Sequence, residues 1–336
     1  MSAAAAFVAV DWGTSSLRGA LLGADGQVIE ERPFPRGIMT VAPGGFPAVF
    51  SECFGDWLAR SSGLCLVSGM AGSRQGWREA PYCGCPAGFD EVAQSLAWID
   101  APPTGWRIAM VPGLSCEQAS GAGHSVPDVM RGEEVQIFGA MRLAGLRDGV
   151  FVLPGTHSKW ARVEDGRITG FSTFMTGEVF ALLSQHSILS KTIAVDTAFD
   201  DAAFGQGVAL AQGGDGLLHH AFSARTLSLF GRMEAGPLAS YLSGLVIGEE
   251  LRANAASVLA HATTPTPSAP PALSAASASS ATSATTSAAS AIVLIGSPNL
   301  TGRYAQALTH QGAASRALGS EATWAGHAAL AQALKE

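Results

Sequence analysis

The chain has 336 residues, a net charge of −7 at pH 7, 47% hydrophobic and only 14% charged residues. That length can carry two ordinary domains with real cores, and the acidic balance argues against nucleic acid as a partner. No run of about 18 apolar residues predicts a membrane span, residues 1–10 lack a basic leader region, and five cysteines do not suggest a disulfide framework, so a cytoplasmic protein is expected.

The first predicted element is a strand at 7–10, entering Asp11-Trp12-Gly13-Thr14-Ser15-Ser16. An apolar segment and Asp25-Gly26 follow, so the stretch reads as strand, loop, strand and a type I′ turn. A helix is expected over 48–60, with Val49, Cys53, Phe54, Trp57 and Leu58 on one face. A buried strand at 64–67 runs into Ser68-Gly69-Met70-Ala71-Gly72-Ser73-Arg74-Gln75-Gly76-Trp77. Cys83-Gly84-Cys85 has the look of a metal or redox pair, but no second Cys/His pair stands at zinc spacing, which favours free thiols. A helix over 89–99 and a strand over 107–111 continue an alternation typical of α/β proteins.

Asp128-Val129-Met130-Arg131-Gly132-Glu133-Glu134 then opens a helix whose apolar face is Val135, Ile137, Phe138 and Met141. A second strand at 150–153 enters Pro154-Gly155-Thr156-His157-Ser158-Lys159, again followed by Asp-Gly, at 165–166. Helices are expected near 176–187, 199–211 and 237–260. Residues 262–290 are almost all Ala, Ser, Thr and Pro and read as a disordered insert, because they cannot bury enough apolar surface to offset ordering entropy. A strand at 292–295 enters Gly296-Ser297-Pro298, and helices are expected over 300–311 and 324–335.

The paired strand–loop–strand segments suggest a duplicated unit that holds a phosphate between its copies. Glycine lets backbone N–H groups approach an anion, and hydroxyls add donors. Gly13, Thr14, Ser15, Gly155, Thr156, His157, Ser158 and Lys159 are therefore the candidate phosphate residues, with solvent as an equal alternative for Lys159. Asp11 suits Mg²⁺, which keeps several waters and binds through one or two carboxylates plus phosphates. Gly296 and Ser297 end a buried strand and fit a platform against adenosine. Neither a Walker A pattern nor G-x-G-x-x-G occurs.

Glu133 is the first candidate for a general base and Glu134 the second; acidic residues also favour any helix N-terminus. Ser73, Arg74, Gln75 and Trp77 follow a buried strand between glycines and suit a small polar acid, for which Arg74 offers a fork and Arg18 a second guanidinium. A surface ion pair is the bland reading of Arg74.

The twin Gly-Thr hairpins resemble those of the actin/hexokinase-type ATPase superfamily. Within it, Asp11 to Arg18, Gly69 to Trp77, Asp128 to Glu134, Leu153 to Trp160, and Met175-Thr176-Gly177-Glu178 through Leu183-Ser184-Gln185-His186-Ser187 resemble the 2-dehydro-3-deoxygalactonokinase family. The likeness covers nearly the whole chain except 262–290. It implies an α/β fold of two ribonuclease H-like domains with a nucleotide cleft between them. It also implies ATP- and Mg²⁺-dependent phosphorylation of the 6-hydroxyl of 2-dehydro-3-deoxygalactonate in galactonate breakdown. Related sugar kinases carry Gly then Asp at the start of the corresponding helix, where this chain has Gly132 then Glu133.

The expected domains are 1–148, with the first phosphate hairpin and the sugar-acid loop, and 149–336, with the second hairpin, the adenosine motif and the insert. The expected partners are a sugar acid and ATP, with no nucleic acid and no membrane; a homo-oligomer is left open. Three rival readings are another sugar or sugar-acid kinase of the superfamily, a silent sugar-sensing regulator, and an actin-like filament or chaperone ATPase. The acidic chain and the small polar loop at 73–77 disfavour the last two.

Overall fold

The computed structural model describes residues 6–100, 105–119, 123–194, 197–260 and 292–334; the insert expected at 262–290 lies outside the described residues. In chain order the first half holds β1 (Phe7–Trp12), β2 (Leu17–Leu22), β3 (Val28–Phe34), α1 (Phe46–Ala59), β4 (Leu64–Ser68), β5 (Cys83–Gly84), α2 (Phe89–Gln94), β6 (Ala97–Trp98), β7 (Arg107–Met110), β8 (Leu114–Ala119), β9 (Ser125–Met130) and α3 (Glu133–Ala144). The second half holds β10 (Gly149–Leu153), β11 (Ser158–Glu164), β12 (Arg167–Phe174), α4 (Thr176–Ala181), α5 (Asp201–Ala211), α6 (Leu217–His220), α7 (Ser223–Leu229), α8 (Leu238–Ala253), α9 (Ala255–Ala260), β13 (Ile292–Ile295), α10 (Pro298–His310), β14 (Ser315–Leu318) and α11 (Glu321–Ala333).

The duplication expected from the two hairpins is written in the sheets. One has the order β3-β2-β1-β4-β7-β6, the other β12-β11-β10-β13-β14. In each, a strand–loop–strand hairpin is extended outward by its third strand and inward by later strands. In the first sheet β1 pairs antiparallel with β2 and parallel with β4, and β4 pairs parallel with β7. This is the ribonuclease H-like arrangement, present twice. A small sheet, β5-β8-β9, accompanies them.

β1 reads as an unbroken apolar run because both of its faces are covered. Side chains alternate across a strand. Val8, Val10 and Trp12 accordingly join the core beneath α1, with Phe50, Phe54 and Trp57. Phe7 and Ala9 join a second core with Phe138 of α3, Phe151 and Leu153 of β10, and Trp324 and Leu330 of α11. α3 and α11 meet backbone to backbone: a methyl group at Gly139 would collide with the carbonyl of Ala322, and one at Gly326 with the carbonyl of Val135.

Two compact units result. The first comprises Met1–Glu178, Val293–Gly302 and Ala317–Glu336; the second comprises Val179–Ile292 and Arg303–Arg316. The grouping therefore does not follow the 148/149 boundary, since both hairpins belong to the first unit. Apart from Ile292 of β13 and Ser315–Arg316 of β14, the second unit holds helices and loops in its described residues, and Leu189, Ala203, Tyr241, Leu242 and Leu245 belong to its core. There the Asp200 carboxylate caps α5 by accepting the Ala203 N–H at 2.8 Å.

Three local expectations are corrected. The helix expected over 89–99 stops at Gln94, because Ala97 and Trp98 pair with Ala109 and Met110 on the edge of the first sheet. The helix expected over 237–260 breaks at Asn254 into α8 and α9. At the first Asp-Gly turn only Gly26 has positive φ, at 83°, whereas Asp165 and Gly166 stand at 49° and 78°. The second turn is the type I′ form; the first is a three-residue loop closed between Gly23 and Gln27, which needs one left-handed residue. Among the described residues no helix is long and apolar enough to cross a membrane.

Candidate active site

Three chain segments converge within the first unit: the end of β1, the end of β4 and the start of α3. Asp11 lies opposite Ser68 in the parallel β1–β4 register and opposite Arg18 in the β1–β2 hairpin. A methyl group on Gly69 would stand 3.2 Å from Asp11 Oδ1, and one on Gly132 would stand 3.2 Å from the Gly69 Cα. Gly132 has φ 106°, a conformation that side chains rarely adopt, and from that bend α3 departs with Glu133 and Glu134 in its first turn.

The two carboxylates are held differently. Glu134 is fully buried, and both its oxygens accept the Gly132 N–H, at 2.9 and 2.7 Å. Burial, then the neighbouring Glu133, pushes its pKa up to about 8. Glu133 is half-buried and accepts the Arg131 N–H at 2.9 Å through one oxygen. Burial raises its pKa too; the Lys159 ammonium opposes that shift and Asp11 adds to it. Glu133 is thus the carboxyl that shares its surroundings with Asp11 and Lys159.

Lys159 is only 5% exposed. Its Nζ donates to the Val129 carbonyl at 2.7 Å and to Thr173 Oγ1 at 2.6 Å. The Thr173 hydroxyl donates onward to Asp128 Oδ1 at 2.6 Å, and Asp128 Oδ2 accepts the Thr173 N–H at 2.7 Å. A buried cation needs a counter-charge, and Asp128 supplies it through Thr173. This network ties β9, which leads to Glu133, to the hairpin that carries the second Gly-Thr loop. The sequence contained no local signal for it beyond an acidic residue before the helix.

The first loop leaves Thr14, Ser15 and Ser16 exposed, with Gly13 N–H bonded to Ser16 O at 2.9 Å. In the second loop Thr156 and His157 are exposed and Ser158 is buried. His157 Nε2 lies 2.6 Å from Glu178 Oε2, and Thr156 O accepts the Glu178 N–H at 3.1 Å. Gly296 stands beside this loop: a methyl there would lie 3.8 Å from Pro154 O, and the exposed Ser297 immediately precedes α10.

Arg18, expected to read substrate, instead grips Asp11 at 2.6 Å and lies over the Trp324 ring at 5.7 Å. The hairpin register alone, which sets Arg18 across from Asp11, was the signal that could have found this pair. Arg74 is 88% exposed at its side chain, 3.6 Å from Glu79. Ser73 Oγ is buried without a hydrogen-bond partner. Gln75 and Trp77 line a cavity of about 500 Å³ with Phe46 and Pro47, and Trp77 packs its ring on Phe50 and Trp12. A larger cavity of about 760 Å³, lined by Phe89, Arg142, Arg147 and Arg167, contains none of the expected site residues. Cys83 and Cys85 are free thiols, and burial pushes Cys85 up to about 12. Among the described residues no cluster of three His, Cys, Asp or Glu could hold a metal.

Burial also holds the buried His327 far below its usual 6.5, at about 3, so it is neutral. Two pH slopes follow. The unfolded chain takes up the His327 proton as pH falls below 6.5 and the folded chain does not, so stability falls on that side down to about pH 3. Glu134 acts oppositely: between 4.5 and 8 the folded chain keeps a proton that the unfolded chain releases, so stability falls as pH rises. Each slope is at most about 1.4 kcal/mol per pH unit. The two cancel between 4.5 and 6.5. Urea unfolding at a series of pH values is expected to show Glu134→Gln flattening the decline between pH 6.5 and 8; a parallel curve would contradict the burial of that proton.

The model of the 2-keto-3-deoxy-galactonokinase family matches residues 11–266, a span that includes both Gly-Thr loops, the Gly69–Trp77 loop and the acidic helix start. The chain belongs to this family. Its full-length relatives agree. A Rhizobium meliloti (strain 1021) protein named "Probable 2-dehydro-3-deoxygalactonokinase DgoK1" is 36% identical over 338 residues, covering 99% of each chain. The Escherichia coli (strain K12) 2-dehydro-3-deoxygalactonokinase is 30% identical over 331 residues, covering 98% of this chain and 99% of that one. The crystal structure of a Sinorhizobium meliloti protein described as "a putative 2-dehydro-3-deoxygalactonokinase protein" superposes with a TM-score of 0.78 at 34% identity, covering 98% of both chains. In this chain Asp11, at the entry to the first Gly-Thr-Ser loop, packs on Gly69, and Gly69 packs on Gly132 at the start of α3.

Proposed function

We propose that the chain transfers the γ-phosphoryl group of ATP to the 6-hydroxyl of 2-dehydro-3-deoxy-D-galactonate, as a step in galactonate breakdown. The observation that carries this reading is the close packing of the Gly132–Glu133 helix start on Gly69 and of Gly69 on Asp11, in a chain whose full-length relatives bear that enzyme's name. Glu133 takes the proton of the attacking hydroxyl as its oxygen bonds to the γ-phosphorus. The bond from that phosphorus to the β–γ bridging oxygen breaks, and ADP leaves. Backbone N–H groups and hydroxyls of Thr14, Ser15, Gly155 and Thr156 hold phosphate oxygens, while Gly13, its N–H bonded to Ser16 O, shapes the first loop, and the buried Ser158 and the Glu178-paired His157 shape the second. Gly296 and Ser297 support the adenosine, and Ser73, Arg74, Gln75 and Trp77 face the sugar acid.

Two further roles differ from the first expectation. Arg18 orients the Asp11 carboxylate rather than the substrate. Lys159 works as a buried counter-charge that favours the ionised form of Glu133, in place of a phosphate contact. The donor set at Asp11 fits Mg²⁺ by its chemistry: one partly exposed carboxylate beside exposed hydroxyls, for an ion that completes its shell with water and phosphate oxygens. When bound there, the ion neutralises charge on the transferring phosphate.

An ADP-release assay against a panel of 2-keto-3-deoxy acids tests the reading. The galacto-configured acid is expected to give the highest kcat/KM; a better substrate among the others would move the chain to a sister sugar-acid kinase. Asp11→Asn is expected to lower turnover by about 10²-fold or more with little change in melting temperature. Full activity without divalent metal, or an unimpaired Asp11→Asn enzyme, would overturn the Asp11 assignment.

A further inference from the structure

We propose that His327, on the last helix of the chain, is a positioning residue for this reaction: its Nε2–H fixes the point at which β1 delivers Asp11 and β4 delivers Gly69. The inference rests on the function proposed above. His327 is fully buried, and its Nε2 lies 3.2 Å from the Val10 carbonyl and 3.2 Å from Ser68 Oγ. Ser68 Oγ also donates to Val10 O, at 3.4 Å. Val10 immediately precedes Asp11, and Ser68 is the residue paired with Asp11 and followed by Gly69. One imidazole therefore bridges the two strands at the last step before both enter the site.

The tautomer follows from the contacts. A carbonyl can only accept, so the nitrogen that faces Val10 O must carry the proton. Nδ1 is then an unprotonated acceptor, buried without a partner. The ring stays neutral throughout the working pH range, so the bridge does not switch. Such a histidine makes poor sense as core packing alone, because an apolar side chain would leave no nitrogen unsatisfied.

The helix that carries His327 reaches the other parts of the site as well. Three residues earlier, Trp324 lies under the Arg18 guanidinium, and Arg18 grips Asp11. Ala322 and Gly326 meet the backbone of α3, whose first turn holds Glu133. α11 thus touches both the strand that presents Asp11 and the helix that presents Glu133, and it sets the spacing between them. A misplacement of about 1 Å at such a site can cost about 10²-fold in rate.

The test compares His327→Leu, His327→Gln and wild type. Leu approximates the ring's size, and Ser68 still serves Val10 O, so the Leu variant is expected to melt within a few degrees of wild type. Its kcat is expected to fall by about 10- to 100-fold, with KM for the sugar acid changed by no more than about twofold. Gln places an amide N–H near the former Nε2–H and is expected to restore most of the rate. His327→Asn, whose amide stops short of Val10, should lose as Leu does, and replaces it if the Leu variant does not fold. Amide hydrogen exchange without nucleotide, followed on peptides spanning residues 8–16 and 66–73, reads the bridge directly. Exchange there is expected to quicken about tenfold in the Leu or Asn variant and not in the Gln variant. This arm does not depend on the activity, so failure of the proposed function and failure of the bridge remain distinguishable. Wild-type kcat and wild-type exchange in the Leu or Asn variant, or no rescue by Gln, would overturn the proposal.

Discussion

Glu133→Gln is expected to lower kcat by about 10²–10⁴-fold while the dissociation constants for sugar acid and nucleotide change little. Gln keeps the volume and the hydrogen bond to the Arg131 N–H and removes only basicity. Glu134→Gln is the matched control, since each change replaces a carboxyl group by a carboxamide in the same helix turn. Both Glu134 oxygens are spent on the Gly132 N–H and the side chain is fully enclosed, so this variant is expected to keep near wild-type kcat. The helix-dipole contribution of the Glu133 charge is only about 0.3–1 kcal/mol, too small to imitate loss of a base. Pre-steady-state phosphoryl transfer with both variants checks the assignment. Equal rates in the two would place the base elsewhere, and a large loss confined to Glu134→Gln would exchange the two roles.

Gly139→Ala and Gly326→Ala are expected to be the most destabilising single-methyl changes in the first unit. At each position the added carbon meets a backbone carbonyl of the facing helix, not the end of a flexible side chain. Relief requires α3 and α11 to move apart, and overpacking of this kind costs about 3 kcal/mol. For a unit of this size that corresponds to a fall in melting temperature of roughly 6–12 °C. Calorimetry with Gly145→Ala as a comparison separates crowding from backbone strain. Gly145, unlike those two, has positive φ, at 66°, and no atom stands near its added methyl. Unchanged melting in both Gly139→Ala and Gly326→Ala would contradict the close approach of the helices. Because α11 also carries His327, a surviving Gly326→Ala enzyme is expected to lose activity along with stability.

Much of the architecture was legible in the chain. Strand–loop–strand segments declare themselves through short apolar runs, Gly-Thr-Ser loops and Asp-Gly turns, all of which act over a few residues. The same holds for α1, whose apolar face at Val49, Cys53, Phe54, Trp57 and Leu58 is the face it turns to the core. Where local pattern and long-range pairing disagreed, pairing won: Ala97 and Trp98 continued a helical spacing, yet they complete the edge of the first sheet. The Asp25–Gly26 turn failed for a smaller reason, since a loop one residue longer needs only one left-handed residue.

By itself the sequence determined the family, the duplicated hairpin plan and the short list of reactive residues, because each depends on residue type at close spacing. Tertiary structure decided how those residues are used. Glu133 and Glu134 are neighbours of one chemical type, and only burial distinguishes the half-open carboxyl from the enclosed one. Lys159 read equally as a phosphate ligand or a solvated side chain until folding brought Thr173 and Asp128 to it, and a buried ammonium must find such partners. His327 lies 316 residues after Asp11 in the chain, and a lone histidine on an apolar helix face carries no local sign of a carbonyl that it will meet. Ionisation and hydrogen bonding at the site depend on desolvation and on groups distant in sequence, so they become definite only when the chain has closed around them.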